Sequence, residues 1–369
     1  MNEKSNLQLK FYHDKSEIPQ GIKIIDCFDN IIKELYFIEN PSHSKKNPAN
    51  IELADNFAKK SKIKSIYVYY EWLNTAVRIP EEKIYFKLRT ARNKNLITEK
   101  EQLTYRNSVV GIAGLSVGAS TLSSLVLTGG SKKIKIADFD TLELSNLNRI
   151  YSSCASIGER KIDIAAKKVL ELDPFAELTL FDNGINQNNI EKFILKSKLD
   201  VFVDAMDNFE MKLQARLICR KNRIPVLMAT DNGDGVILDI ERFDKDVNRK
   251  LFHNLVPNIE KIDLGKLLPK EWLRLAATII GPKFHPIRLQ ESLMKLGKEI
   301  AGVPQLGTAA MLSGTMIAYA IRRISNNQPL KSGKYVFSKD EMFVPNYMSA
   351  SQIKIRDKSS KKFMDYINK

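Results

Sequence analysis

Four groups of residues in this chain have types and spacings that could do chemistry together. Val109-Val110-Gly111-Ile112-Ala113-Gly114-Leu115-Ser116-Val117-Gly118 joins a strand-like run to a helix-like one. Glycines in such a turn let backbone N–H groups approach a phosphate at the helix N-terminus. Ala113 stands at the usual middle glycine, and a turn of this kind serves dinucleotides and mononucleotides alike, so at this point a dehydrogenase and an adenylating enzyme are equally compatible with it. The second group, Asp138-Phe139-Asp140, closes the next strand-like run and offers carboxylates that can accept hydrogen bonds from ribose hydroxyls. The third is cationic, with Arg149 followed twelve residues on by Lys161. Fixed cations of this sort stabilise negative charge that develops on phosphoryl oxygens and on a departing pyrophosphate, a task for which hydride transfer has no use. The fourth, Asp204-Ala205-Met206-Asp207-Asn208, pairs two acids where a strand-like run gives way to a helix-like one, which capping of that helix alone would not explain.

The elements that would position these groups alternate short β-rich runs with amphipathic helical stretches, the pattern of a parallel sheet flanked by helices. We expect strands over Ser108–Ala113, Lys133–Asp138, Glu177–Phe181, Asp200–Val203 and Val226–Ala229. Helices are expected over Gly118–Leu127, Glu159–Leu172, Asn189–Ser197 and Glu210–Asn222. Each βα unit puts its loop at the same sheet edge, so residues at strand C-termini converge on one crevice. Val236–Phe243 reads as a further strand, antiparallel to the rest, and Leu306–Ile324, with its small and apolar residues, as a closely packed helix. Residues 244–300 carry Pro257, Pro269, Pro282 and Pro286 and are expected to form an irregular crossover facing the substrate. The fold class is therefore α/β, a Rossmann-like, doubly wound and mostly parallel sheet with helices on both faces. Residues 1–85 form a small accessory region, 86–330 the main domain, and 331–369 a basic tail, expected to fray from Lys354 onward.

The spacing Asp138-x-Asp140, then Ser145-Asn146-Leu147-x-Arg149, then Lys161, together with Asp204-x-x-Asp207-Asn208, resembles the signature of the ThiF, MoeB and ubiquitin-activating enzyme superfamily over roughly residues 86–243 and the helix near 306–324. The wording Gly-Leu-Ser-Val-Gly and Glu-Leu-Ser-Asn-Leu-Asn-Arg is similar to a bacterial branch sometimes fused to nitroreductase-like domains. The resemblance implies an ATP- and Mg²⁺-dependent adenylyltransferase that activates a carboxylate with release of pyrophosphate. By this match, Gly111, Gly114, Ser116, Asp138, Asp140, Asn146, Arg149, Lys161 and Asn208 hold the nucleotide. Arg149, Lys161, Asp207 and Arg92 are the catalytic set, with Asp207 the metal ligand and Asn208 a helix cap or substrate contact. Arg92, with Arg89 second, occupies the place of an N-terminal arm that reaches across a homodimer to the partner's phosphates.

The chain departs from relatives that pass the adenylate to a thiol, since residues 244–300 contain no cysteine and no Cys-x-x-Cys pair occurs anywhere in the sequence. Adenylation followed by attack of an external nucleophile is the simplest mechanism left. Cys154 follows Arg149 closely enough to invite a test of reactivity, although a half-buried structural thiol is the commoner situation. His253 and His285 are offered as acid or base, against a plain loop role. With only Cys27, Cys154 and Cys219, neither a disulfide framework nor a thiolate zinc site is expected. No long apolar run supports secretion or membrane spanning, and the expected location is cytoplasmic. The acyl substrate is a peptide or ubiquitin-like C-terminus or a small acid. A net charge of +15 leaves room for nucleic acid as a partner, in the manner of a tRNA-modifying dehydratase. A non-catalytic nucleotide-binding scaffold is the reading from another class, since Ala113 and Ser116 replace family glycines.

Overall fold

The computed structural model describes residues 7, 9–262, 266–267 and 269–368. Its central sheet forms where the β-branched runs fall: Val109–Ala113 (β5), Lys133–Ala137 (β6), Glu177–Phe181 (β7), Val201–Asp204 (β8), Val226–Asn232 (β9), Gly235–Glu241 (β10) and Gly333–Phe337 (β11). The spatial order is β11-β10-β9-β8-β5-β6-β7. From β7 to β9 all neighbours are parallel, whereas β10 and β11 each run antiparallel to the preceding neighbour. The chain moves outward from β5 through β6 to β7, then returns to place β8 on the other side of β5. That reversal opens a crevice at the C-terminal ends of β5, β6 and β8, the usual place for a ligand in an open α/β sheet.

One sheet face is covered by Val117–Leu127 (α5), Lys161–Leu172 (α6) and Gly307–Ser325 (α11), whose Leu122, Ile162 and Ile317 pack on Ile112, Ile136 and Val236. The other is covered by Ile190–Leu195 (α7) and Phe209–Lys221 (α8), with Phe193, Met211 and Ala215 packed on Phe202 and Val226. Gly111 has a packing reason to be glycine: a Cβ there would meet Leu199 Cδ1 at 2.5 Å and Phe193 Cε1 at 2.8 Å.

A second, four-stranded sheet precedes this one, with Lys10–Tyr12 (β1), Lys23–Asp26 (β2), Ser65–Tyr70 (β3) and Thr75–Pro80 (β4) in the order β1-β3-β4-β2, accompanied by helices Phe28–Glu39 (α1) and Pro48–Lys60 (α2). It is tied to the end of α6, where Phe11 stacks on Phe175 and Tyr85 Oη of Glu82–Arg89 (α3) donates to the Leu172 carbonyl at 2.9 Å. Glu99–Asn107 (α4) then leads into β5.

Two expectations are corrected. Residues 244–300 are not irregular throughout: they hold the helices Pro269–Ile280 (α9) and Ile287–Met294 (α10). Pro269 opens α9 and Pro286 caps α10, positions where a missing N–H costs no intrahelical bond. The basic tail of residues 331–369 does not fray from Lys354 onward. It contributes β11, then Lys339–Phe343 (α12) and Ala350–Asn368 (α13). Phe363 and Ile367, one helical turn apart, bury against Ala277, Leu293 and Met294, and this apolar contact anchors α13 despite its charge.

Candidate active site

At the end of β5 the backbone turns through Gly114, whose φ of +91° is a conformation that side chains resist. A Cβ at this position would also collide with the Ala205 carbonyl, so the turn lies directly against the loop that follows β8. Asp138, at the end of β6, holds the turn from the other side. Its Oδ2 accepts from Leu115 N at 2.6 Å and its Oδ1 from Asp140 N at 2.8 Å. Burial raises the pKa of Asp138, opposed by these two backbone donors and by the charge of Lys161. Each of its oxygens thus accepts one backbone N–H, and Asp138 holds the glycine turn in place.

Two cations reach this turn. Arg149 Nε donates to Ser116 Oγ at 3.1 Å, and its Nη1 donates to both the Ser145 carbonyl and Asn148 Oδ1. Ser116 makes no side-chain cap of α5, so the first N–H groups of that helix face the crevice without a capping side chain. Lys161 opens α6 and donates Nζ to Asp140 Oδ2 at 2.8 Å. Asn146 shapes the loop bearing Arg149: buried, it accepts from Glu143 N through Oδ1 at 3.2 Å, and its carbonyl accepts from Arg149 N at 3.0 Å. The same loop is clasped by Asn148 Nδ2 donating to the Gln305 carbonyl at 2.8 Å, just before α11.

Beyond β8 the two acids separate in role. Asp204 is wholly buried and accepts from Lys212 Nζ at 3.0 Å and Arg216 Nη1 at 2.5 Å. Burial pushes Asp204 up, yet Lys212 and Arg216 outweigh it and leave the carboxyl below its usual range. Asp207 is exposed, and its carboxylate has no hydrogen-bond or ion-pair partner among the described residues. Asn208 caps α8 by accepting from Met211 N at 3.1 Å.

Gly114, Ser116, Asp138, Asp140, Arg149 and Lys161 are therefore joined by direct bonds or contacts around one turn, with the loop carrying Asp207 against it. Arg89 and Arg92 are elsewhere. Arg89 donates to the Val126 carbonyl at 2.6 Å and pairs with Asp173, which locks it at the C-terminal end of α5. Arg92 is exposed beside it, without a side-chain partner among the described residues. An eleven-residue helix is about 16 Å long, so Arg92 lies at the wrong end of α5 to serve its own turn.

The remaining candidates are held in structural networks. His253 Nε2 meets Asp239 Oδ1 at 2.9 Å and its Nδ1 meets Arg249 at 2.7 Å. His285 pairs through Nδ1 with Asn232 Oδ1 at 2.7 Å, and burial lowers its pKa to about 4. Cys154 is exposed on a short turn, and Cys219 is buried, its thiol pushed up by burial.

Sequence reasoning missed two groups. One is the buried chain of Lys212, Arg216 and Glu241 behind Asp204; the signal was a lone arginine between Leu213, Ala215 and Cys219 on the apolar side of a helix. The other is Asp231, the last residue but one of β9, which accepts from Ser313 Oγ of α11 at 2.8 Å. Burial raises the pKa of Asp231, opposed by the Ser313 bond and by the charge of Arg149.

Residues 90–361 match the family model described as the ThiF family. An uncharacterized protein of Mycobacterium tuberculosis is 32% identical over 268 residues, 73% of this chain but 37% of that protein, so the chain spans little more than a third of that relative's length. The tRNA threonylcarbamoyladenosine dehydratase of Bacillus subtilis is 24% identical over 212 residues, 56% of this chain and 78% of the enzyme. Among solved structures, that of PaaA shares the fold, with a TM-score of 0.50 and 18% identity over 70% of this chain and 77% of that one. On the family match, which covers well over half of its length, the chain belongs to the ThiF family.

Proposed function

We propose that this protein is an adenylyltransferase that uses ATP and Mg²⁺ to activate a carboxylate as its acyl-adenylate. One observation carries the reading: Arg149, bonded to Ser116, and Lys161, bonded to Asp140, bring two fixed cations to the glycine turn at the N-terminus of α5. A substrate carboxylate oxygen attacks the α-phosphorus of ATP, the bond from that phosphorus to the oxygen bridging to the β-phosphate breaks, and pyrophosphate leaves with the electron pair. No proton needs to move in this step. Arg149 and Lys161 stabilise the charge that grows on the α-phosphoryl oxygens and on pyrophosphate.

Asp138 and Asp140 offer the carboxylates for the ribose hydroxyls, Asp140 through an Oδ1 free of the Lys161 bond and Asp138 through the acceptor sites its two backbone donors leave open. Asp207, unpartnered beside the turn, fits the metal: a cation there would neutralise phosphate oxygens, and a single protein carboxylate suffices for Mg²⁺ already held by phosphate. Residues 244–300 offer no thiol, so the acyl group passes to an external nucleophile and AMP departs. Arg92, remote from its own turn and without a side-chain partner among the described residues, serves the site of a second copy, which makes the working form a homodimer.

ATP–pyrophosphate exchange with a panel of amino acids, peptides and small acids tests the proposal. Exchange that depends on carboxylate and Mg²⁺ and is abolished in Asp207→Ala supports it. Tight ATP binding with no exchange for any acid would instead identify a non-catalytic nucleotide-binding protein. A second reading, in which the carboxylate is carried on tRNA, is favoured by the net charge of +15 and by the likeness to the tRNA-modifying dehydratase. It requires tRNA affinity that falls steeply with salt; affinity unchanged between low and physiological salt would remove it.

A further inference from the structure

Asp231 has one carboxylate oxygen engaged and one without a partner. Ser313 donates to Oδ1 at 2.8 Å, whereas Oδ2 is buried and receives no hydrogen bond from the described residues. The residue as a whole is 8% exposed. Leaving a buried carboxylate oxygen without a donor is costly, and such a group calls for an explanation in terms of something it binds.

Its place in the fold supplies one. Strands β8 and β9 pair with Phe202 beside Val226 and Val203 beside Leu227. Asp231 lies further along β9, one residue before its C-terminal end, on the crevice side of the sheet. Arg149 lies close enough for its charge to act on Asp231. The helix carrying Ser313 begins at Gly307, where a Cβ would collide with the Asn148 carbonyl, so α11 spans from the Arg149 loop to Asp231. The neighbouring Asn232 is fully used, donating to the Phe284 carbonyl and pairing with His285.

A site that binds ATP and a carboxylate already gathers negative charge, and an additional free carboxylate in its wall would repel a simple acid. An acid that brings its own donor next to the carboxylate satisfies Asp231 instead. We infer that Asp231 determines the specificity of the proposed adenylation, its Oδ2 accepting a hydrogen bond from nitrogen on the carbon next to the substrate carboxylate. That nitrogen is the ammonium of a free amino acid or the amide N–H of the last residue of a peptide. The inference rests on the adenylation reading and narrows its substrate class. Sites built around a buried polar group reject analogues that lack the matching group strongly, by up to about 10⁴-fold.

The test is pyrophosphate exchange by the full-length protein with the common amino acids and with tripeptides ending in each of them. Every acid is matched to an analogue whose terminal α-nitrogen is replaced by CH₂, or is N-methylated in the peptides. For the wild type we expect the nitrogen-bearing acids to exceed their analogues by about 100-fold or more in kcat/KM. Whichever of the two sets is active distinguishes a free amino acid from a peptide terminus. Asp231→Asn keeps an acceptor for Ser313 and should lose at least about 10-fold for the nitrogen-bearing acid, mainly through KM, while its analogue is unchanged or improved. Equal use of acid and analogue by the wild type would overturn the inference and leave adenylation standing; this comparison needs no variant to fold. Equal losses for both acids in a folded Asp231→Asn protein would also overturn it, since a purely structural role acts on both alike. Absence of exchange with every acid would remove the adenylation reading itself, and the inference with it.

Discussion

Lys161 and Asp140 meet twice, once through the Lys161 backbone N–H to the Asp140 carbonyl at 2.9 Å and once through Nζ to Oδ2 at 2.8 Å. The backbone bond fixes where α6 begins, so the ammonium is delivered to the glycine turn by the fold and not by the ion pair alone. Lys161→Met removes the charge and keeps the backbone bond. We expect pyrophosphate exchange to fall by about 10²-fold or more, the scale of losing one preorganised charge at a reacting phosphate. Stability should change little, because the Asp140 side chain is half exposed and pairs of this kind contribute about 0–1 kcal/mol. Exchange rates set beside thermal melts check both halves. A large fall in Tm with exchange intact would make Lys161 a structural residue.

His285 gives the fold a pH dependence of definite sign. Burial lowers its pKa to about 4, whereas in the unfolded chain an imidazole titrates near ~6.5. Between those values the unfolded chain takes up a proton that the folded protein refuses. Stability is therefore fully present above pH ~6.5 and is lost as pH falls toward about 4, by about 3 kcal/mol from this residue. In His285→Gln that component disappears. Urea unfolding of both proteins across the window should show the wild type losing about 3 kcal/mol relative to the variant as pH falls, and parallel curves would show that His285 is not held neutral.

The parallel core was legible because each strand is a short apolar run and each helix shows a clear apolar stripe, and the observed ends of β5 to β9 fall within three residues of those expected. Where charge masked an apolar minority, the sequence misled. In α13 the buried Phe363 and Ile367 are outnumbered by lysines, and in β11 only five residues, Gly-Lys-Tyr-Val-Phe, add an antiparallel edge. Prolines in 244–300 looked like loop markers, yet Pro269 and Pro286 start helices. In the site, residue types were readable but their partners were not. Asp138 and Asp140 are equivalent in sequence, and only the backbone N–H groups of Leu115 and Asp140 reveal that Asp138 also holds the glycine turn. Asp231 lay in no motif, and its meaning depends on α11, more than eighty residues away in sequence.

Arg216 supports the site from beneath. Its guanidinium is wholly buried between Asp204 and Glu241, at 2.5 and 2.6 Å, over the Phe252 ring. Replacing it with Met leaves Asp204 with Lys212 but strands Glu241 without a cation. Removing one member of a buried ionic group costs about 3–5 kcal/mol, a large share of a domain's stability. Arg216→Met should therefore unfold at much lower urea, and the double variant Arg216→Met with Glu241→Gln should recover part of the loss. If the double variant is no more stable than the single one, the stranded Glu241 is not the source of the cost.

The separation of Arg92 from its own glycine turn makes a prediction about assembly. If Arg92 serves the partner's site, Arg92→Ala and Asp207→Ala should each abolish exchange as pure proteins, and a mixture of the two should regain activity. In a symmetric dimer that exchanges subunits at random, half of an equal mixture is heterodimer. Within each heterodimer, one site combines both lesions and the other combines neither, because Asp207 of that site and the Arg92 that reaches it come from the two intact positions. About a quarter of wild-type activity should return. Arg89→Ala behaves differently: it breaks contacts to Val126 and Asp173 within one chain, so it should lower the melting temperature, and mixing should not relieve that loss. Recovery in the Arg92 and Asp207 mixture, read as exchange per subunit after a denaturation and refolding step that shuffles chains, establishes action across the dimer. Failure to recover, with heterodimers demonstrated by mass, would confine Arg92 to a surface role.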